Sequence, residues 1–228
     1  MLSPSVTWPR LSPDGSLVAY REPVADGVAG FVSTTSGERR QVCTDCRVLG
    51  FFPDLDELLV LQGTNRLVRR RLSTGGEATV LTTQANSIAN GRLSVDGRWM
   101  AFVLNRPGGH AGLYVAPVRE APVPENERIV LEESDTARVD DPAWSPDGTL
   151  LYYLSERDGF LCVWARRFDP AAFRFVGESF PALHAHTMRH SMILGGRVIN
   201  WGLNVTRDRL YLMMAEVTGN VWTAKLPR

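Results

Sequence analysis

Asp141-Pro142-Ala143-Trp144-Ser145-Pro146-Asp147-Gly148-Thr149-Leu150-Leu151-Tyr152-Tyr153-Leu154-Ser155 reads as strand, tight turn, strand. The turn has a mechanism. Pro146 pre-sets φ at the first corner, the Asp147 side chain bonds the local backbone, and Gly148 tolerates the exit conformation. Trp144 before the turn and the aromatic and aliphatic run after it are strand formers.

The unit recurs. Leu11-Ser12-Pro13-Asp14-Gly15 precedes Leu17-Val18-Ala19-Tyr20, and Leu93-Ser94-Val95-Asp96-Gly97 precedes Trp99-Met100-Ala101-Phe102. Two copies are degenerate: Phe51-Phe52-Pro53-Asp54 before Leu58-Leu59-Val60-Leu61, and Val205-Thr206-Arg207-Asp208 before Leu210-Tyr211-Leu212-Met213. The anchors Asp14, Asp54, Asp96, Asp147 and Asp208 lie roughly 40 to 60 residues apart, the period of a four-stranded propeller blade. Third strands follow at Phe31-Val32-Ser33, Leu67-Val68-Arg69, Leu113-Tyr114-Val115-Ala116, Cys162-Val163-Trp164-Ala165 and Val221-Trp222-Thr223-Ala224. Outer strands fit at 39–42, 78–81, 128–131 and 173–176, mixed in polarity as one-sided burial requires. No long segment holds a 3.6-residue apolar period, so almost no helix is expected.

The expected fold is therefore all-β: a β-propeller of about five blades in one domain, 1–228, with repeats near 5–46, 47–85, 86–136, 137–196 and 197–228. One four-stranded sheet cannot bury both faces, whereas five twisted sheets around an axis bury one another's. A β-sandwich accounts poorly for the fixed period.

Composition excludes several classes. Lys plus Arg equals Asp plus Glu at 25 each, which argues against a nucleic-acid binder and a polybasic membrane surface. Arg69-Arg70-Arg71 alternates between faces and reads as a solvated strand. No run approaches the ~20 apolar residues of a spanning helix. The first residues, Met1-Leu2-Ser3-Pro4-Ser5-Val6, carry no signal-peptide pattern.

These repeats resemble the WD40-like, or PD40, repeats of TolB-type propellers, whose signature turn matches Ser-Pro-Asp-Gly at 12–15 and 145–148 and Ser-Val-Asp-Gly at 94–97. The turns built on Asp14-Gly15, Asp96-Gly97 and Asp147-Gly148 are thus structural. The resemblance departs at Leu55 and Arg209, which stand where glycine is expected. Cys43-Thr44-Asp45-Cys46, Gly112-Leu113-Tyr114-Val115-Ala116-Pro117 and the run from Leu154 to Ala165 look like the C-terminal propeller of bacterial membrane-anchored serine/threonine protein kinases. That narrower resemblance implies a non-catalytic sensory part and an extracytoplasmic location. It brings no kinase chemistry, because the phosphate loop, the His-Arg-Asp loop and Asp-Phe-Gly are all missing from this sequence.

Three constellations can be weighed. His184, His186 and His190 fall within seven residues, and on an extended strand the first two point to one side. No Asp or Glu is near them in sequence, and Arg189 repels a cation, so a partly exposed polar strand is favoured over a metal site. Cys43 and Cys46 form half a zinc motif with no second pair; a local disulfide or free thiols come before metal, and redox catalysis comes last. Cys162 alternates with apolar residues and reads as a core cysteine. No Gly-x-Ser-x-Gly elbow occurs. Asp140-Asp141 reads as a strand entrance near the channel, Glu132-Glu133 as a solvated turn, and Trp144 and Trp164 as packing between blades.

The ends do not match. Repeat five supplies strands near 198–205, 210–214 and 221–225 but no outer strand, while residues 6–11 are already an inner strand and Pro4 cannot donate to a ladder. The expectation is a chain that forms the C-terminal part of a larger propeller, or an imperfectly closed ring, able to self-associate through the incomplete last blade. The expected function is a non-catalytic binding or sensory module for a protein or small-molecule ligand at a propeller face, with no cofactor. The alternative is a metal-dependent propeller enzyme of the sugar-acid lyase type using His184–His190.

Overall fold

The computed structural model describes residues 7–108, 111–185, 190–194, 197–198 and 202–216. Four antiparallel four-stranded sheets follow one another along the chain, each with its strands in sequence order. The first holds β1 (Thr7–Leu11), β2 (Leu17–Val24), β3 (Gly27–Thr34) and β4 (Arg39–Thr44); the second holds β5 (Cys46–Phe51), β6 (Glu57–Gln62), β7 (Arg66–Arg71) and β8 (Glu77–Thr82). The third holds β9 (Ser87–Leu93), β10 (Trp99–Asn105), β11 (Ala111–Pro117) and β12 (Ile129–Ser134); the fourth holds β13 (Val139–Trp144), β14 (Leu150–Ser155), β15 (Cys162–Asp169) and β16 (Arg174–Leu183). Helical structure among the described residues is one 3-10 turn, Glu125–Glu127. The protein is an all-β propeller of successive blades.

The fifth repeat is less regular. Short strands β17 (His190–Ser191) and β22 (Ala215–Glu216) pair, as do β18 (Ile193–Leu194) with β19 (Arg197–Val198), and β20 (Asn204–Val205) with β21 (Leu210–Tyr211). The continuous inner strand expected at 198–205 is thus divided between β19 and β20, and the second strand is two residues long. The strand expected at 221–225 lies outside the described residues.

The signature turns are built alike. Ser12 Oγ donates to Asp14 Oδ1 at 2.7 Å, and the same Oγ accepts the Leu17 N–H at 2.9 Å. Ser94 with Asp96 and Ser145 with Asp147 repeat this arrangement. Hydrogen bonds from Ser12 and Ser16 pull the exposed Asp14 down to about 2, and the Ser145 hydroxyl lowers Asp147 in the same way. Gly15, Gly97 and Gly148 exit at φ 75°, 73° and 71°. At Gly148 an added Cβ meets nothing within 4 Å, so the expected cost of Gly148→Val is backbone strain, about 1–3 kcal/mol. At Gly97 an added Cβ would lie 2.9 Å from Pro53 Cδ and 3.0 Å from Phe52 Cδ1, so Gly97→Val should cost more in urea denaturation.

The degenerate second repeat keeps the geometry without the glycine. Leu55 takes the exit position at φ 61°, with its N–H bonded to the Phe52 carbonyl at 3.0 Å. A left-handed non-glycine residue costs roughly 1–2 kcal/mol, whereas glycine's extra freedom costs roughly 0.5–1. Leu55→Gly is therefore expected to stabilise the fold by about 0.5–1 kcal/mol, read as a higher urea midpoint; an unchanged or lower midpoint would mean that the Leu55 side chain packs better than its strain costs.

Cores lie between the blades. Val32, Val42 and Val48 join Leu58 and Val60 between blades one and two; Leu49, Leu59 and Leu81 join Met100 and Phe102 between two and three. Val103, Val115 and Trp144 join Tyr153 and Phe168 between three and four, and Leu154, Val163 and Leu203 connect four to five. Trp144 is buried as expected, but Trp164 is only partly so, with the Arg157 guanidinium 4.9 Å from its ring centre. Two charged stretches also differ from the sequence reading. Arg71 is exposed as read and Arg69 half-buried, but β7 is a third rather than an outer strand, and both arginines bind the buried Glu57 carboxylate. Glu132 is not in a solvated turn: it lies in β12 and accepts the Tyr153 hydroxyl at 2.8 Å.

Candidate functional site at the channel mouth

The innermost strands β1, β5, β9 and β13, with β20 of the fifth repeat, surround a central channel. In each of the four regular blades the inner strand carries a register shift near its middle: between Thr7 and Arg10, at Leu49, at Ala89, and between Asp140 and Ala143. Two of these fall at a proline, while blades two and three carry the shift without one. Pro9 and Pro142 have no N–H for the ladder, and the residue before each, Trp8 and Asp141, turns to φ 56° and 54°. A bulge re-aims the side chains that follow it, here towards the axis.

One mouth of the channel is a cavity of about 520 Å3 to which all five repeats contribute. The residue four before each anchor aspartate takes part: Arg10, Gly50, Arg92, Ala143 and Asn204. Above them the rim is mainly apolar, formed by Leu11, Phe51, Val95 and Trp144, with Thr206 and Arg207 as its polar members; Leu11 is 64 % and Val95 50 % exposed. No histidine, cysteine or carboxylate is among the lining residues.

The floor is charged. Arg10 is 5 % exposed; its Nη1 donates to the Pro9 carbonyl at 3.0 Å, and its Nε has no hydrogen-bond partner. Arg92 donates to the carbonyls of Leu203, at 2.8 Å, and Pro142, at 3.5 Å. Arg47, also buried but lining a separate cavity with Arg21 and Asp45, donates to the Ala89 carbonyl, lies 4.4 Å from the Trp8 ring centre, and likewise has an unpartnered Nε. Burial, then repulsion from Arg92, lowers Arg10 to about 9; burial lowers Arg47 to about 10. The acidic side is blade four. Asp141 Oδ1 accepts the Asn90 amide at 3.1 Å and its Oδ2 accepts the Leu203 N–H at 2.9 Å. Burial and the neighbouring Asp140 raise the Asp141 pKa. The reading of Asp140-Asp141 as a channel element thus has its geometric counterpart.

The channel arginines went unnoticed in the sequence because an arginine in a strand usually reads as solvated. The available signal was positional: Arg10 and Arg92 occupy the same repeat position as Gly50 and Ala143, which the propeller turns inward.

The histidine candidates lie elsewhere. His184 follows β16 at the end of blade four opposite the Pro146–Gly148 turn, since Cys162 pairs with Ser155 and Ser155 with Val139. Its Nδ1 is 3.4 Å from Asp158 Oδ2, so tertiary structure supplies the carboxylate that the local sequence lacks. Asp158, Cys162 and His184 place ligand-type atoms within 4.8 Å of one another. Cys162 is buried and accepts the Ala185 N–H at 3.3 Å, and burial pushes its thiol pKa up. His186 lies outside the described residues, as does the side chain of His190. Cys43 and Cys46 are joined in a disulfide, Cα–Cα 5.9 Å, packed on Gly30, where a Cβ would lie 2.8 Å from Cys46 Sγ.

No family model matches this sequence, and no curated protein matches it. Solved structures do. TolB from Acinetobacter baumannii is 17% identical with a TM-score of 0.58, over 75% of this chain and 44% of that one. A TolB candidate from Agrobacterium tumefaciens is 20% identical with a TM-score of 0.56, over 73% of this chain and 62% of that one. Oligogalacturonate lyase from Vibrio parahaemolyticus is 10% identical with a TM-score of 0.59, over 83% and 57%. The chain thus spans about half the length of these proteins. At such identities the likeness shows the fold, a TolB-type propeller.

Proposed function

We propose that this chain is a non-catalytic binding module that takes a protein or small-molecule ligand at the channel mouth. The observation that carries the reading is the mouth itself: a cavity of about 520 Å3, mainly apolar at the rim and polar at the floor, to which every repeat contributes. A rigid ring presenting turns around a concave site suits recognition; the lining holds no histidine, cysteine or carboxylate, and its Ser94 hydroxyl is committed to the Asp96 turn. The resemblance to kinase-linked propellers supports a sensory role, as part of a signalling protein. The Cys43–Cys46 disulfide and the TolB-type fold support an extracytoplasmic location. The test is a fragment screen by methyl NMR. Hits are expected to shift the methyls of Leu11, Leu93 and Val95 together; hits scattered over the surface, or none, would remove the reading.

One observation favours a second reading, a metal-dependent enzyme of the lyase type: the meeting of His184 with Asp158 and Cys162. An oligogalacturonate lyase is among the similar folds. Stoichiometric metal in purified protein, lost in His184→Ala, would favour it; no metal in either would leave the binding module.

A further inference from the structure

The channel floor has a charge imbalance that the protein does not itself resolve. Arg10 and Arg92 share one neighbouring carboxylate, Asp141, while Arg47, with Arg21 beside it, lines a separate cavity. Among the described residues none of Arg10, Arg47 and Arg92 makes an ion pair; backbone carbonyls hold them instead. Carbonyls satisfy donors but do not neutralise charge, and the single carboxylate of Asp141, which attracts both Arg10 and Arg92 through space, leaves one buried positive charge in excess, which is costly. Asp141 is occupied by Asn90 and Leu203. Arg10 keeps an unpartnered buried Nε, and it borders the mouth cavity together with Arg92. Gly50, between them in the ring order, puts no side chain into the lining and is packed on Leu93, whose Cβ would lie 3.0 Å from an added Cβ. On the far side Arg10 Nη1 lies 3.5 Å from where a Gly202 side chain would begin.

We propose that the floor is an anion site, and that the ligand is a small carboxylate with an apolar body: the carboxylate sits against Arg10 and Arg92, and the body against the rim of Leu11, Phe51, Val95 and Trp144. The planar fork of arginine matches a carboxylate. The rim, which is mainly apolar and partly exposed, selects against a bare inorganic anion. This inference rests on the channel mouth being the binding site and adds the class of ligand.

The experiment uses benzoate, its neutral isostere benzamide, and inorganic phosphate, titrated into the whole chain by calorimetry and methyl NMR. Benzoate is expected to bind at least about tenfold more tightly than benzamide, the worth of a charge-assisted hydrogen bond, and to shift the Leu11 and Val95 methyls. Phosphate is expected to bind more weakly than benzoate. Arg10→Met and Arg92→Met should each remove about tenfold or more of the benzoate affinity and leave benzamide unchanged. A thermal melt checks that Arg10→Met, which removes one buried charge at similar volume, is folded at the titration temperature; Arg10→Lys, which keeps the charge and loses the fork, should bind benzoate at an intermediate strength. Benzamide shifting the rim methyls as strongly as benzoate would overturn the anion site and leave the mouth as a binding site. Benzoate binding that survives both methionine variants, or that leaves the rim methyls unmoved, would show an adventitious contact elsewhere and also overturn the proposal. No rim shift with any probe would count against both.

Discussion

Replacing Asp141 by leucine is expected to destabilise the propeller by about 3–5 kcal/mol, the cost of removing one partner from a buried charged network. The side chain is 4 % exposed and hydrogen-bonds two elements of the fold at once. Its Oδ1 accepts from Asn90 in blade three and its Oδ2 accepts the backbone N–H of Leu203 in the fifth repeat, while Arg92 and Arg10 attract it electrostatically. Leucine leaves both donors unpaired and both guanidiniums less compensated. It must also take φ 54°, which asparagine and aspartate tolerate and leucine resists. Asp141→Asn keeps the conformation and an acceptor oxygen, so its expected cost is smaller, about 1–3 kcal/mol. Urea denaturation of the two variants checks the claim. Equal losses would mean that the hydrogen bonds and the left-handed backbone contribute little, and that charge alone matters.

The pH response separates this group from the turn aspartates. Asp14 sits below its unfolded value, so its stabilising contribution is present above about pH 4 and is lost as pH falls towards 2. Asp141 is raised by burial and by Asp140, so its contribution has the opposite sign and grows as pH falls through its folded value. The same residue type is thus read differently at two positions of one repeat.

This contrast shows which parts of the molecule were legible in the sequence. The turns were, because a Ser-x-Asp-Gly turn is specified within five residues: Ser12, Asp14 and Gly15 bond one another and need no tertiary partner. The four outer strands were legible for a similar reason, since period and polarity are local. Leu55 shows that the geometry outlasts its signature residue, because flanking strands can impose a left-handed residue at a small cost. The site was not legible. Arg10 and Arg92 are 82 positions apart in the chain and meet only because the ring closes their strands around one axis. Glu57 becomes a buried anchor only when β7 brings Arg69 and Arg71 across to it. His184 finds its carboxylate in Asp158 across the β15–β16 hairpin, a proximity that a window around the histidines cannot show.

Trp144→Ala is expected to cost about 3–5 kcal/mol, the range for emptying a large aromatic site in a core. Trp144 is the last residue of β13, 5 % exposed, and it packs between blades three and four. Its ring meets Phe168 edge-on, with centroids 5.3 Å apart, and its Nε1 donates to the Arg92 carbonyl at 3.3 Å. The blade interface therefore loses an aromatic contact, a cross-blade hydrogen bond and most of an indole's volume. The site cannot easily collapse, because Ser145 next to it is held by the Ser145–Asp147 turn. Trp144→Phe keeps most of the volume and loses the hydrogen bond, so about 1 kcal/mol is expected from that term. The alanine variant should lower the urea midpoint with the slope unchanged. Because the indole also borders the mouth, the same variant should widen the cavity and weaken benzoate binding even in molecules that stay folded. An alanine variant as stable as the parent would mean that blades three and four are held by the smaller residues around Val103 and Val115, and that Trp144 serves the mouth alone.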